Sequence, residues 1–142
     1  MIEEIIENKL DYASLLCDSD PNINLVENYL RDGRLFAYFE KQTPLAFIAV
    51  KEINDTTLEI KNLLTLENNR GRGYGKSLLQ YIENLYQNKT TFLIGTANSS
   101  MTNMLIYTKL GYHIESRMVY YMARLVSSQK NVEFIKSNYD DR

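Results

Sequence analysis

Seven consecutive residues, Arg70-Gly71-Arg72-Gly73-Tyr74-Gly75-Lys76, bring glycines and cations together immediately before a helical pattern. Glycine lets a backbone N–H come close to a ligand, and the start of a helix adds unpaired amides and the positive end of its dipole. The combination describes an anion cradle, and a phosphate group fits it. Arg72 and Lys76 supply charge, while the amides of Gly71, Gly73, Tyr74 and Gly75 supply donors. Spacing separates the candidate ligands. A P-loop requires G-x-x-x-x-G-K-[ST]; Gly75-Lys76-Ser77 supplies its end, but its first glycine would have to stand where Arg70 stands. A dinucleotide fingerprint G-x-G-x-x-G begun at Gly71 needs glycine in place of Lys76, and begun at Gly73 in place of Leu78. Neither pattern is present.

The pattern that these residues satisfy is [Q/R]-x-x-G-x-G, with Arg70, Gly73 and Gly75 at its fixed places. It resembles the pyrophosphate-binding loop of the GNAT superfamily of acetyl-CoA-dependent N-acetyltransferases. Upstream, the run from Leu58 to Leu66 looks like the strand that leads into that loop. Downstream, Asn98-Ser99-Ser100 followed by Leu105-Ile106-Tyr107-Thr108-Lys109-Leu110-Gly111-Tyr112 is similar to the family's second signature, a helix ending in a Tyr-x-x-x-Gly-aromatic run. The likeness extends over positions 44–112, with its pieces in the same order and spacing.

This resemblance implies acetyl-CoA as cosubstrate and an α/β (α+β) GNAT-like fold, a mixed, mostly antiparallel central sheet of about six to seven strands flanked by about four helices. It implies that Arg70, Gly71, Arg72, Gly73, Tyr74, Gly75, Lys76 and Ser77 hold the diphosphate. The backbone of Leu64, Thr65 and Leu66 would pair with the pantetheine arm as an added strand does. Asn98 resembles the residue that contacts that arm, with Ser100 and Asn103 weaker candidates for the same wall.

Moving an acetyl group from a thioester to an amine also needs neutral amine and a proton for the departing thiolate. For a lysine-like amine of pKa about 10.4, reaching the neutral form at pH 7 costs roughly 4.6 kcal/mol, which a positioned base lowers. Similar enzymes place a base on the strand before the loop, so Glu59 is the first candidate, acting directly or through water, and Glu67 at the strand's exit is the second. The alternative for either is an ordinary glutamate on a solvated strand face. Tyr107 matches the family's tyrosine that donates toward the cofactor sulfur. A phenol of pKa about 10 protonates a thiolate of conjugate-acid pKa about 8.5 only with help from geometry or an oriented hydrogen bond. Cys17 and His113 have no third partner that would make them a nucleophilic pair, and no cluster of His, Cys and carboxylates has metal-ligand spacing, so no metal is expected.

The elements that position these residues follow from periodicity. A first strand is expected over 2–6, then a short helix over 11–17 and another starting at Asp20-Pro21, with Ile23, Val26 and Leu30 as its apolar stripe and Gly33 at its end. Strands over 34–40 and 45–53, broken at Gln42-Thr43-Pro44, read as a hairpin, and a third strand over 57–66 follows the Asn54-Asp55 turn. After the loop, Leu78, Leu79, Ile82, Leu85 and Tyr86 fall on one helical face. A strand over 91–96, a helix facing inward with Met101, Met104 and Leu105, and an extended run over 112–122 complete the pattern. The family commonly finishes with two antiparallel strands after the Gly-aromatic pair. Here a polar end follows Leu125, so the last strand is expected either at 132–135 or from a neighbouring subunit.

The chain has 142 residues and a net charge of −2, enough for one N-acetyltransferase domain over 1–142 and without the broad basic surface that nucleic acid binding needs. One cysteine excludes an internal disulfide and fits a reducing interior. The acidic start Met1-Ile2-Glu3-Glu4 signals neither secretion nor membrane insertion, so a cytoplasmic location is expected, with a homodimer left open. The acceptor is expected to be a small-molecule or peptide amine, attacking acetyl-CoA directly in a ternary complex. Asp18, Asp20 and Glu27 could attract a cationic amine, though a charged helix surface explains them as well. Two rival readings are a non-catalytic acyl-CoA-binding regulatory module and a nucleotide site at Gly75-Lys76-Ser77.

Overall fold

Leu35, Phe36 and Ala37 are all buried, and in a strand this means that both faces are covered. The computed structural model describes residues 1–18, 22–96, 113–116 and 120–125. These fall into two compact units, Met1–Lys51 with Ile60–Tyr86, and Glu52–Glu59 with Gln87–Arg142.

The first unit holds β1 (Ile2–Ile5), β2 (Arg34–Glu40), β3 (Thr43–Glu52) as far as Lys51 and β4 (Thr57–Thr65) from Ile60 onward, in that order, with β1, β2 and β3 antiparallel. Alternate residues serve alternate faces. Leu35, Ala37, Phe47, Ala49 and Leu64 join a core with Leu16 of α1 (Ala13–Leu16) and with Val26, Tyr29 and Leu30 of α2 (Ile23–Asp32). On the opposite face, Phe36 packs its ring 5.7 Å from Tyr81 of α3 (Tyr74–Leu85).

Several boundaries differ from expectation for identifiable reasons. Strand β1 stops at Ile5 and leaves Ile6 exposed. The first helix is a 3-10 turn over Lys9–Tyr12 followed by the single turn of α1. Asp20 and Pro21 lie outside the described residues, and α2 is capped by Asn22, whose side chain accepts from the Leu25 amide at 3.1 Å. Ile23 faces outward and Tyr29 takes its place in the stripe. Leu85 also turns outward, at the margin of a stripe carried by Leu78, Leu79, Ile82 and Tyr86.

The β2–β3 turn is Lys41-Gln42, earlier than the proline break suggests. Both residues have positive φ, 51° and 74°, the pairing that suits a two-residue hairpin because its twist matches that of the strands. Pro44 is inside β3, opposite Phe39 near the hairpin's end. Tyr38 pairs with Ala46 and Phe39 with Pro44, which leaves Leu45 unopposed as a bulge.

Gly33 ends α2 for a steric reason. Its φ of −111° suits any residue, but an added Cβ would run into the Val50 carbonyl oxygen and stand 2.8 Å from that of Tyr29.

Arg34 ties β1 and β2 to the end of α3. It donates to both Glu4 carboxylate oxygens at 3.0 and 2.7 Å and to the Tyr86 hydroxyl at 2.9 Å, with its guanidinium 5.0 Å from the Phe36 ring centroid. Hydrogen bonds from Arg34 hold the Glu4 carboxyl below its usual value, against the opposing effect of burial. A lowered folded value means that this stabilisation is complete above the ordinary carboxylate range and is lost as the pH falls through the lowered one. Because the Arg34 side chain is 43% exposed, solvent screening limits the pair to about 1 kcal/mol. Glu4→Gln should therefore cost about that much in denaturant titrations at neutral pH, and its cost should vanish in acid. A penalty that persists unchanged in acid would contradict this assignment.

In the second unit, β5 (Thr91–Thr96), β7 (Tyr120–Leu125) and β6 (His113–Ser116) lie in the order β5-β7-β6, antiparallel throughout. The run expected as one extended segment over 112–122 is thus two paired strands. They supply the closing antiparallel pair that the sequence reading sought at 132–135 or in a neighbouring subunit. The helix expected before them, with Met101, Met104 and Leu105, lies outside the described residues.

The turn from β3 to β4 belongs to this unit. Asn54 Oδ1 accepts from the amides of Thr56 and Thr57, both at 2.9 Å. Lys89, only 4% exposed, donates to the carbonyls of Asn54 at 2.9 Å and Asp55 at 3.3 Å, and stands 2.8 Å from Glu52 Oε1. A buried ammonium is tolerable when each of its N–H groups has an acceptor, as here.

Candidate functional site

The glycine loop is built between two fixed points. Its start is held where the Leu66 amide donates to the carbonyl of the bulged Leu45 at 3.0 Å. A 3-10 turn over Glu67–Asn69 follows, then Arg70 in extended backbone. Gly71 and Gly73 adopt φ of 80° and 83°, the left-handed region that costs a residue with Cβ about 1–2 kcal/mol. Among the described residues, nothing lies within 4 Å of where a Cβ would sit on either, so neither glycine is crowded by them. At its far end, the Tyr74 ring stands 4.6 Å from Tyr38 and its hydroxyl donates to Glu40 Oε2 at 3.3 Å.

Gly73 is the N-cap of α3 and has no side chain with which to cap it. The first helical bond runs from the Ser77 amide to the Gly73 carbonyl at 3.0 Å. Among the described residues, no acceptor satisfies the amides of Gly71, Arg72, Gly73, Tyr74, Gly75 and Lys76. Arg72 and Lys76 are exposed beside them. Gly75 is helical, and a Cβ there would meet only Leu63 Cδ2 at 3.7 Å and Thr65 Oγ1 at 3.8 Å, which is ordinary contact. Neither backbone nor packing among the described residues demands a glycine at 75, although it costs a helix about 1 kcal/mol relative to alanine. The arrangement can accept an anion bearing several oxygens, with dipole and charge both favourable.

Other expected residues take more specific places. Arg70 works on the loop itself, its Nε donating to the Thr65 carbonyl at 3.1 Å and its Nη2 lying 4.0 Å from Asp18. Within the Leu64–Leu66 backbone, the Leu66 amide is thus given to Leu45 and the Thr65 carbonyl accepts from Arg70. Glu59 is 3% exposed, which removes the alternative of an ordinary solvated glutamate, whereas Glu67 is exposed in the 3-10 turn. Asn98, Ser100, Asn103 and Tyr107 lie outside the described residues. Cys17 is half-buried after α1, and His113 is on β6. Asp18 is exposed and Glu27 half-buried. No group of three metal-capable side chains occurs among the described residues, and no helix among them is long and apolar enough to cross a membrane.

Asn62 escaped the sequence reading. It is buried in β4, and its amide nitrogen donates to the Leu16 carbonyl at 3.0 Å and the Tyr29 hydroxyl at 2.8 Å, joining the ends of α1 and α2 to the strand. The available signal was an amide side chain set in the apolar run from Leu58 to Leu66.

Residues 31–114 match the model of the acetyltransferase (GNAT) domain, which takes in more than half of the chain. The chain belongs to the GNAT acetyltransferase family. Membership makes it an acetyl-CoA-dependent N-acetyltransferase by class. It is 30% identical over 112 residues to the uncharacterised N-acetyltransferase YvbK of Bacillus subtilis (strain 168), covering 78% of this chain and 72% of that one. Its fold is similar to a GNAT family acetyltransferase from Elizabethkingia anophelis with acetyl-CoA bound, at a TM-score of 0.80 and 21% identity over 89% of this chain and 97% of the other. It is likewise similar to a Bacillus subtilis acetyltransferase in complex with CoA, at a TM-score of 0.78 and 21% identity over 89% and 98%. The fold is the α+β mixed-sheet fold of this family, as the sequence resemblance implied.

Proposed function

We propose that this protein moves the acetyl group of acetyl-CoA to a primary amine of a small molecule or peptide by direct attack in a ternary complex, as a single domain working in the cytoplasm. The observation that supports this reading is the row of amides from Gly71 to Lys76 at the start of α3, which find no acceptor among the described residues, beside two glycines that those residues leave uncrowded. Those amides, with Arg72 and Lys76, hold the diphosphate of the cosubstrate. The amine nitrogen attacks the thioester carbon, the carbon–sulfur bond breaks, and the thiolate leaves. Glu59 takes the amine's proton, directly or through water, and Tyr107 returns one to the sulfur.

A transfer screen of polyamines, aminoglycosides, amino acids and peptide N-termini with acetyl-CoA tests the activity, alongside calorimetry with coenzyme A. Turnover of any amine together with saturable CoA binding supports the reading, and a protein that ignores coenzyme A overturns it. Gly73→Ala should weaken CoA about tenfold, because the left-handed backbone strain of a Cβ, about 1–2 kcal/mol, is relieved only by moving the amides. Unchanged affinity in that variant would remove the loop from the binding site.

A further inference from the structure

The tip of the β2–β3 hairpin touches the glycine loop at both of its ends, and no feature of the loop's own sequence requires this. At the start, the bulge leaves the Leu45 carbonyl to accept from the Leu66 amide. At the end, Tyr38 and Glu40 hold the ring and the hydroxyl of Tyr74, the first residue of α3. Tyr38 is the last residue in register before the bulge, and Glu40 immediately precedes the left-handed Lys41-Gln42 turn. A bulge and two residues held at positive φ therefore converge on the segment that aims these contacts, and such devices persist where the surrounding structure uses them.

We propose that Tyr38 and Glu40 are positioning residues: by anchoring Tyr74 they preset the direction of the α3 amides, so that a diphosphate meets donors already aligned. Neither residue touches the ligand in this proposal. It rests on the reading of the loop as a diphosphate site, and it adds that the loop's affinity is set from a neighbouring hairpin. Loosening Tyr74 leaves every amide present but spreads their directions, which penalises a ligand that needs several at once.

The test compares two probes, coenzyme A and pantetheine, which lacks the diphosphate, by calorimetry for the first and ligand-observed NMR titration for the second. In the unsubstituted protein, coenzyme A should bind at least about a hundredfold more tightly, since several charge-assisted hydrogen bonds separate the two probes. Tyr38→Ala should shrink that ratio about tenfold, as expected for losing a half-buried ring that packs on the Tyr74 ring, while Tyr38→Phe keeps the ring and the ratio. Glu40 is exposed, so its substitution leaves the fold intact and gives a second arm. Glu40→Ala should lower the ratio about threefold, the scale of one hydrogen bond, and Glu40→Gln, which retains an acceptor, should restore it. A ratio that survives Tyr38→Ala and Glu40→Ala unchanged, or an equal weakening of both probes, overturns the positioning role alone. No preference for coenzyme A in the unsubstituted protein instead overturns the diphosphate reading and this inference with it.

Discussion

Glu59→Gln should lower kcat/KM for acetyl transfer about a thousandfold, the range in which a positioned base contributes 10² to 10⁴, while leaving the Kd for coenzyme A within about twofold. The amine must lose its proton to attack, and near neutral pH almost none is neutral, at a cost of roughly 4.6 kcal/mol. A carboxylate that takes that proton removes much of this barrier. Glutamine matches the volume of glutamate and keeps one acceptor, so at a position only 3% exposed it disturbs packing little. The measurement is kcat/KM with whichever amine the screen identifies, taken together with a thermal melt. A rate within about threefold of the parent would assign Glu59 to the architecture of β4 and pass the role to Glu67 or to water. A melt lowered in proportion to the rate would point the same way.

Gly33→Ala should destabilise the fold by about 3 kcal/mol, the upper part of the range for overpacking, and lower the melting temperature by roughly 10 °C. An added Cβ meets two backbone carbonyl oxygens, that of Val50 in β3 and that of Tyr29 in α2, and backbone held in a strand or a helix cannot swing aside as a flexible side chain does. Most domains have only about 5–15 kcal/mol in hand. Asp32→Ala, one residue away at an exposed position, makes the control, with an expected change within about 0.5 kcal/mol. If Gly33→Ala melts with the parent, the approach of α2's end to β3 is looser than described.

The loop and its surrounding elements were legible because they depend on local rules. Glycines before a helical stripe, a strand rich in branched residues and the Asn54-Asp55 turn each carry their own signal, and 34–40 and 91–96 were read with the observed bounds. What escaped depends on contacts distant in sequence. No periodicity says that Tyr29 outcompetes Ile23 for the core, since both lie within the reach of one helical face and the choice is made by what α1 and β4 present. The hairpin turn was misplaced because Lys41-Gln42 lacks the asparagine and glycine that usually mark two left-handed residues, while Pro44 offers a stronger but misleading break. Gly33 was expected to end α2 and does so, yet its reason is a carbonyl across the sheet that sequence spacing cannot display. In the candidate site, the glycine loop is legible as a motif, whereas the turn of Arg70 toward Thr65 and the contact of Tyr74 with Tyr38 depend on how separate elements pack.

An enzyme that acylates amines also carries lysines of its own. Lys89 is withdrawn from that pool: its terminal nitrogen sits out of solvent, with every proton engaged by Asn54, Asp55 or Glu52. An acyl group there would cancel the charge and leave a single N–H for three acceptors, loosening the turn that leads into β4. The tether that fixes this corner is thereby shielded from self-modification.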